Sequence, residues 1–293
     1  MPGTLKEVRN RIQSVRNTQQ ITKAMKMVSA AKLRRAQDAI QHMRPYAQKQ
    51  QEVLGNIVSN FNGDVSMSLA KSRPVEKVLL IVITSDRGLC GGYNSNLIKL
   101  ARFEIQEKYN DQFKKGNITI MPLGKKGYEF FVKHNFNVID TYWAIFSNLS
   151  FEYVSGISAF IRKGFSEGRF DKVDIIYSEF KNAAMQQFKV EPYLPVPKTE
   201  NPKGYPKADF IFEPGEEELI EELMPKILNT QLYKAVLDAN ASEHGARMTA
   251  MDKATENADD LLHTLKISYN RARQAAITTE LTEIVSGAAA LQG

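Results

Sequence analysis

The sequence predicts an α/β protein in which two long terminal helices form an antiparallel coiled coil and flank a middle domain with a largely parallel sheet. Two observations predict the coiled coil: both ends of the chain are poor in proline, and both repeat apolar or small residues in steps of three and four. A third observation predicts the middle domain, because strand-like apolar runs alternate there with helix-like stretches. We place the three parts at 1–62, 74–212 and 213–293.

The N-terminal helix is predicted to begin at a capping box, in which Thr4 stands three residues before Glu7, and to end at Asn62-Gly63. One proline, Pro45, lies between these signals and is expected to kink or split the helix. The apolar residues in heptad register are Leu5, Val8, Ile12, Val15, Leu33, Ala36, Ile40, Met43, Ala47, Leu54, Ile57 and Phe61.

The register of the first helix has a polar gap, because Gln19, Thr22, Lys26 and Ser29 fall on seam positions. In the same window a displaced apolar stripe is formed by Ile21, Met25 and Val28. The gap has two interpretations. The helix changes faces and contacts something besides its partner helix, or the supercoil has a local stutter.

The C-terminal part contains no proline for 68 residues after Pro225, and Gly245 is its plausible weak point. Small residues dominate its repeat, so another helix can approach closely. The predicted seam consists of Ala254, Ala258, Leu261, Leu265, Ser268, Ala272, Ala275 and Thr279.

In the middle part, runs of aliphatic residues predict buried strands, and a helix is predicted over 151–165. A glycine turn and a helix-like stretch through Leu97, Leu100 and Ile105 follow the first strand. Antiparallel edge strands are predicted at Gln186–Leu194 and Phe210–Phe212. The strand runs are Val78–Ile83, Ile118–Met121 and Val173–Tyr177.

Charge is unevenly distributed along the chain. The first 50 residues hold 11 Lys and Arg against 2 Asp and Glu, a net charge of +9, whereas the remaining 243 residues have a net charge of −3. This asymmetry predicts an acidic partner: nucleic acid, anionic lipid or an acidic protein surface. Tyr46 is the only aromatic residue in those first 50, so nucleic-acid bases would find little to stack on.

Composition excludes several classes of protein. One cysteine, Cys90, cannot close an intramolecular disulfide, and the histidines lack metal-ligand spacing, so we expect no metal and no cofactor. No run of 18 uncharged apolar residues occurs, and the first 16 residues lack the apolar core of a secretory signal. We therefore expect a mature cytoplasmic protein.

The segment 84–92 follows a strand and precedes a helix, where α/β proteins often bind phosphate. It matches neither the dinucleotide fingerprint nor the P-loop. The sequence favours a tight turn, in which Gly91 and Gly92 allow close backbone packing and Cys90 is packed and inert.

Three motifs carry a resemblance to a known family: Asp86–Gly92, Asn17–Val28 and Arg271–Glu283, the last followed by Gly287–Ala290. They stand in order in the middle and at both ends of the chain, and together they resemble γ subunits of the rotary F-type ATP synthase. The single Cys90 departs from the chloroplast members, which add a regulatory dithiol loop, so the resemblance is to bacterial members.

The resemblance implies a central-stalk rotor without a catalytic or nucleotide site of its own. The paired helices would form a shaft inside a ring of three α and three β subunits. The middle domain, Rossmann-like in the family, would bind the ε subunit and the proton-carrying c-ring, with Pro195–Lys207 as one candidate contact loop. The complex would stand on the cytoplasmic face of the bacterial plasma membrane, with this chain attached only peripherally.

The resemblance also implies which residues touch α and β. Met25 and Lys26 would face an acidic lever of β. Further contacts to loops of α and β would come from Arg247, Arg273, Gln274, Thr278 and Glu280.

Two other functions stay open from the residues alone. A basic coiled-coil protein that binds nucleic acid would be retained on heparin with an affinity that falls steeply in salt. A nucleotide-dependent oxidoreductase would bind its cofactor saturably near Gly88–Gly92. The resemblance implies neither, because it predicts no nucleic-acid partner and no cofactor.

Overall fold

The computed structural model describes residues 4–60, 69, 73–183, 185–196 and 216–292. The predicted stop at Asn62-Gly63, the strand at Phe210–Phe212, and all of the loop Pro195–Lys207 after Val196 lie outside these residues. The described elements are α1 (Leu5–Asn60), β1 (Val78–Ile83), α2 (Tyr93–Lys108), α3 (Asn110–Lys114), β2 (Ile118–Leu123), α4 (Lys125–Lys133), β3 (Asn137–Val138), a 3-10 turn (Ile145–Ser147), α5 (Phe151–Ser166), β4 (Lys172–Phe180), β5 (Gln186–Leu194) and α6 (Glu216–Gln292).

The chain divides into two compact units. The helical unit comprises Met1–Ser29 and Met248–Gly293, and the α/β unit comprises Ala30–Arg247. Both long helices are cut by this division, whereas the boundaries predicted from the sequence follow the helix ends. No helix in the described part of the chain has the length and apolarity needed to cross a membrane.

Helix α1 begins at the predicted capping box, because Thr4 N donates to Glu7 Oε2 (2.8 Å) and Glu7 N donates to Thr4 Oγ1 (3.4 Å). The helix runs through Pro45, so the predicted split is wrong. The helical turn that contains Pro45 is stabilised by the adjacent Arg44. Its guanidinium donates to the carbonyl of Phe180 (2.7 Å) and to Asp238 Oδ1 (3.1 Å). These bonds and the buried Ile40 and Ala47 offset the backbone bond that proline removes.

Helix α6 likewise continues through Gly245. A Cβ atom there would lie 3.3 Å from the carbonyl oxygen of Ala183, in the segment that joins β4 to β5. The glycine therefore allows a close approach and is not a break in the helix.

The α/β unit is built on a five-stranded sheet of order β3-β2-β1-β4-β5. Strands β1 to β4 are parallel, and β5 pairs antiparallel with β4, as predicted for Gln186–Leu194. Both faces of β1 are buried: Leu79, Ile81 and Ile83 face one core, and the alternating Val78, Leu80 and Val82 face the other. This explains the unbroken aliphatic run of β1.

Each core is closed by helices. On the first face, α5 contributes Val154 to Phe165 and the early part of α6 contributes Met224 to Ala239. On the second face, α2 contributes Tyr93 to Ile105 and α4 contributes Phe131. The predicted fold class is confirmed, although the residue pattern did not predict the short elements α3, α4 and β3, whose two to nine residues carry little periodicity.

We expect Gly124, which precedes α4, to tolerate no side chain. Its φ is +122°, and a Cβ atom would lie 2.2 Å from the carbonyl oxygen of Thr84. Gly124→Ala should therefore lower the free energy of unfolding by about 3 kcal/mol through backbone strain and steric overlap. The matched control is Gly116→Ala, where φ is +72° but nothing lies within 4 Å, and about 1 kcal/mol is expected. Equal losses in urea unfolding would contradict the steric argument.

Candidate partner-contact surfaces

The polar gap in the seam of α1 is filled by cross-helix pairs inside the helical unit. Thr22 Oγ1 lies 2.8 Å from Thr255 Oγ1, and Lys26 Nζ lies 2.5 Å from Asp252 Oδ1. Gln19 Nε2 donates to Asp259 Oδ1 in the same way. Because residue numbers rise on one helix as they fall on the other, these pairs show that α1 and α6 run antiparallel, as predicted.

The seam therefore keeps its face, and neither a face change nor a stutter is needed. Thr22 and Ser29 are buried on it, with 8% and 3% of their surface exposed. The partners Asp252 and Asp259 were not predicted from the sequence. Their spacing of seven equals that of Gln19 and Lys26, and this shared heptad step was the signal that could have found them.

The displaced apolar stripe lies outside the seam. Ile21 and Val28 are 60% and 57% exposed, the neighbouring Met27 is 61% exposed, and Met25 is half-buried. Lys26 is half-exposed in its ion pair, with 40% of its side chain accessible, so the pair contributes at most about 1 kcal/mol. This exposed apolar surface on a basic helix is the first candidate contact surface.

The second candidate surface is the end of α6, from 273 to 290, where every residue is exposed. The seam on α6 is buried at Met251, Ala258, Leu262 and Leu265 and reaches Ala272, which is half-buried. In the antiparallel register set by the pairs above, the start of α1 comes level with about residue 273 of α6. Beyond that level, α6 has no partner among the described residues of the helical unit.

Part of the predicted seam on α6 is wrong, because α6 continues past the N-terminus of α1. Ala275 and Thr279 are exposed because they lie past the end of the partner helix. Between three and four turns earlier, Leu262 and not Leu261 faces α1, since Leu261 is 39% exposed. The steps of four and three from Met251 onward place Leu262 on the seam.

Four predicted contact residues, Arg273, Gln274, Thr278 and Glu280, are brought together on this exposed segment. The hydroxyl of Thr278 donates to the backbone carbonyl of Gln274 (2.9 Å). The segment also exposes apolar side chains at Ile277, Leu281, Ile284 and Val285. Their spacing of four, three and one places them along one side of the helix.

The fifth predicted residue of α6, Arg247, lies in the α/β unit and is buried. Its guanidinium donates to Glu243 Oε1 (2.5 Å) and to the carbonyl oxygens of Arg87 (3.0 Å) and Gly88 (3.3 Å). Burial raises the pKa of Glu243, and the adjacent Arg247 opposes that rise. Arg247 therefore clamps the glycine turn onto α6 and is separate from the exposed segment.

The glycine turn is filled by its own side chains. Asn94 Oδ1 accepts from the backbone N–H of Ser85 (2.9 Å), and Asn94 Nδ2 donates to Ser85 Oγ (2.7 Å). Gly91 has a φ of +59°, which suits the tight turn that was predicted. Cys90 is 2% exposed, and its sulfur lies 3.3 Å from Asn94 Nδ2, so the prediction of a packed thiol is confirmed.

Comparison with known proteins finds one matching family and relatives that span the whole chain. The model of the family described as ATP synthase matches residues 4–291. The chain is 50% identical over 291 residues to the ATP synthase gamma chain of Flavobacterium johnsoniae, covering 99% of this chain and 100% of that one. It is 48% identical over 300 residues to the ATP synthase gamma chain of Cytophaga hutchinsonii, with 99% of each covered.

Solved structures share the fold. A chain of the Euglena gracilis mitochondrial ATP synthase, in a structure of OSCP, F1 and the c-ring, superposes with a TM-score of 0.64 at 20% identity, covering 98% of this chain and 94% of that one. A chain from the central stalk and c-ring of the Tetrahymena thermophila enzyme gives a TM-score of 0.56 at 24% identity, with coverages of 80% and 99%.

Proposed function

The chain belongs to the family of ATP synthase γ chains, and from this membership we propose that it is the central-stalk rotor of a bacterial F1Fo ATP synthase. It couples rotation of the proton-carrying c-ring to ATP synthesis in the ring of three α and three β subunits. The observation that carries the proposal is the α6 segment 273–290, a single exposed helix that continues beyond the N-terminus of α1. Family membership sets aside the nucleic-acid binder and the oxidoreductase.

The end of α6 suits a shaft that turns inside a sleeve. Residues 284–293 carry no charged side chain, so no fixed ion pair holds this end in one rotary position. The exposed Ile284 and Val285, both 67% exposed, need an apolar surround that the described part of this chain does not provide. Closer to α1, Arg273, Gln274, Thr278 and Glu280 offer polar groups to loops of α and β.

The exposed stripe on α1 suits an acidic lever of the β subunit. It combines accessible apolar groups, including Met27 and Val28, with a helix whose first 50 residues carry a net charge of +9. The ion pair of Lys26 with Asp252 is exposed and weak, so a β carboxylate can compete for the ammonium group. Met25 and Lys26 are the residues we assign to this contact, and the predicted contact of Arg247 is a separate one in the α/β unit.

The same proposal makes the chain a non-catalytic subunit without a catalytic nucleotide site. The glycine turn, where a phosphate would otherwise lie, is closed by the bonds between Ser85 and Asn94. The part at 74–212 binds ε and the c-ring, and 1–62 with 213–293 form the shaft. The chain stands at the cytoplasmic face of the plasma membrane and reaches the membrane only through its partners.

Met25→Lys tests this function. The new cation would stand beside Lys23 and Lys26 and pair with carboxylates of the β lever, which holds one rotary state too strongly. We expect complexes reconstituted in vesicles to hydrolyse ATP but to pump fewer protons per ATP. The matched control is Ser14→Lys, which adds the same charge at an exposed position three turns away on α1 and should leave coupling unchanged.

The readouts are ATP hydrolysis and acidification of the vesicle lumen, measured together. The isolated chain is the blank and should release no phosphate from ATP. Normal pumping per ATP by Met25→Lys would contradict the assignment of the stripe. Failure of the wild-type chain to assemble with α and β would contradict the proposed function itself.

A further inference from the structure

The α/β unit contains a cavity of about 580 Å³ that the proposed function does not use. Its walls come from α1 around residues 32–39, the glycine turn after β1, the 3-10 turn, and α6 between Tyr233 and Arg247. The volume falls in the range of small-molecule sites. All of these walls lie within the one compact unit.

Cations outnumber carboxylates on the cavity wall, where Lys32, Arg35, Arg87 and Arg247 face Asp86 and Glu243. The side chains of Lys32, Arg35 and Arg87 belong to exposed residues and form no hydrogen bond or ion pair with another described residue. The two carboxylates on the wall have other hydrogen-bond partners, and Glu243 also interacts with the charge of Lys32. Asp86 Oδ1 accepts from the backbone N–H at the start of α4 (3.0 Å), and Glu243 Oε1 accepts from Arg247 (2.5 Å).

The buried end of the cavity places a histidine beside an arginine. His244 lies next to Arg247, with Nδ1 3.4 Å from the guanidinium Nη1. Burial, together with the cations Arg247 and Lys32, lowers the pKa of His244 to about 4. A protonated His244 is therefore disfavoured first by burial and then by the charges of Arg247 and Lys32, and an anion in the cavity would offset the second effect.

We propose that this cavity binds a small polyanion of the pyrophosphate type, held by Lys32, Arg35 and Arg87. Arginine forks match phosphate oxygens in bidentate pairs, and three unpaired cations around one cavity match a ligand of two or more negative charges. A single inorganic phosphate would leave most of the volume empty. The apolar wall formed by Phe146, Leu149 and Leu237 leaves room for an organic body attached to the phosphates.

The same phosphate chemistry has two sources, inorganic pyrophosphate and a nucleoside diphosphate. Isothermal titration of the full-length chain with pyrophosphate and with ADP distinguishes them. Tighter binding of pyrophosphate identifies an inorganic ligand. Tighter binding of ADP, with pyrophosphate competing for the site, identifies a nucleotide and would depart from the sequence-based expectation that this chain has no nucleotide site.

Single substitutions locate the site. Arg35→Gln and Arg87→Gln should each weaken pyrophosphate binding about tenfold, the loss expected for one charge-assisted hydrogen bond. Arg34→Gln is the matched control, because it removes the same charge from the adjacent exposed position of α1, which does not line the cavity. Unchanged urea unfolding of each variant shows that the fold is intact.

A second measurement does not depend on the variants. Pyrophosphate should raise the pKa of His244, followed by NMR titration of the imidazole carbons, and leave those of His42, His134 and His263 in place. Three results would each overturn the proposal: no saturable binding of either ligand, equal weakening by Arg34→Gln and Arg35→Gln, or a His244 titration that the ligand does not move.

Discussion

Arg247→Met is expected to lower the free energy of unfolding by about 3–5 kcal/mol, because it leaves the carboxylate of Glu243 buried without its cation. Both side chains are only 9% exposed, and their closest atoms are 2.5 Å apart. The variant also loses the two hydrogen bonds to the carbonyl oxygens of Arg87 and Gly88. The glycine turn would then lose its attachment to α6.

The loss should depend on pH. Burial already raises the pKa of Glu243, and without Arg247 it rises further. The folded variant therefore keeps a proton that the unfolded chain releases near the ordinary pKa of a glutamate, about 4.3. Stability is then highest at low pH and falls as pH rises through the folded pKa, so the variant should be less destabilised at pH 5 than at pH 8.

Urea unfolding of the full-length chain at the two pH values measures this effect. The matched control is Arg273→Met, which removes an exposed arginine from the same helix and should change stability by less than about 0.5 kcal/mol. Adding Glu243→Gln to Arg247→Met removes the buried charge and should restore most of the loss. Normal stability of Arg247→Met, together with failed assembly, would instead show that Arg247 acts only as a partner contact.

Removing Gln274 and Thr278 together is expected to slow rotation-linked ATP turnover by a factor on the order of a hundred. Each single change to Ala should slow it about tenfold, since one hydrogen bond to a charged partner contributes about 1.5–3 kcal/mol. The two residues are four apart on one face of α6, and the Thr278 hydroxyl already bonds the carbonyl of Gln274 (2.9 Å). Because they would serve the same loop, the double change should slow turnover more than either single change.

These substitutions distinguish a loss of contact with α and β from a loss of stability of the chain. The coiled-coil seam ends at Ala272, so neither change removes packing within the helical unit, and urea unfolding should be unaffected. Thr279→Ala is the matched control: it removes an equally exposed hydroxyl, bonded to the carbonyl of Ala275 (3.0 Å), from the neighbouring face. The measurement is steady-state ATPase of the reconstituted complex. Wild-type rates and assembly yields in all three variants would show that these residues make no contact that matters.

Much of the fold could be predicted from the local periodicity of apolar residues. The heptad seam predicted for α1 is buried or half-buried at Leu5, Val8, Ile12 and Val15 and again from Leu33 to Ala47. The strands β1, β2, β4 and β5 and helix α5 stand where the aliphatic runs and periodicity placed them. The three motifs, in the middle and at both ends of the chain, were sufficient to indicate the family.

Other features could not be predicted because they depend on the position of a second, distant segment of the same chain. Leu261 and Leu262 are both apolar, and only the register against α1 decides which of them is buried. The exposure of Ala275 follows from where α1 begins. The continuity of α1 through Pro45 depends on the bonds that Arg44 makes to residues of β4 and α6.

The residue pattern alone specifies the long helices, the longer strands, the basic first helix and the family, because each rests on residues close together in the chain or on a continuous motif. The role of Arg247 and the cationic cavity are set by the three-dimensional arrangement. Arg247 meets the backbone of Arg87 across 160 residues, and the cavity joins α1 to segments up to 215 positions away. Burial and charge compensation at such places depend on distances in space, which local spacing does not contain.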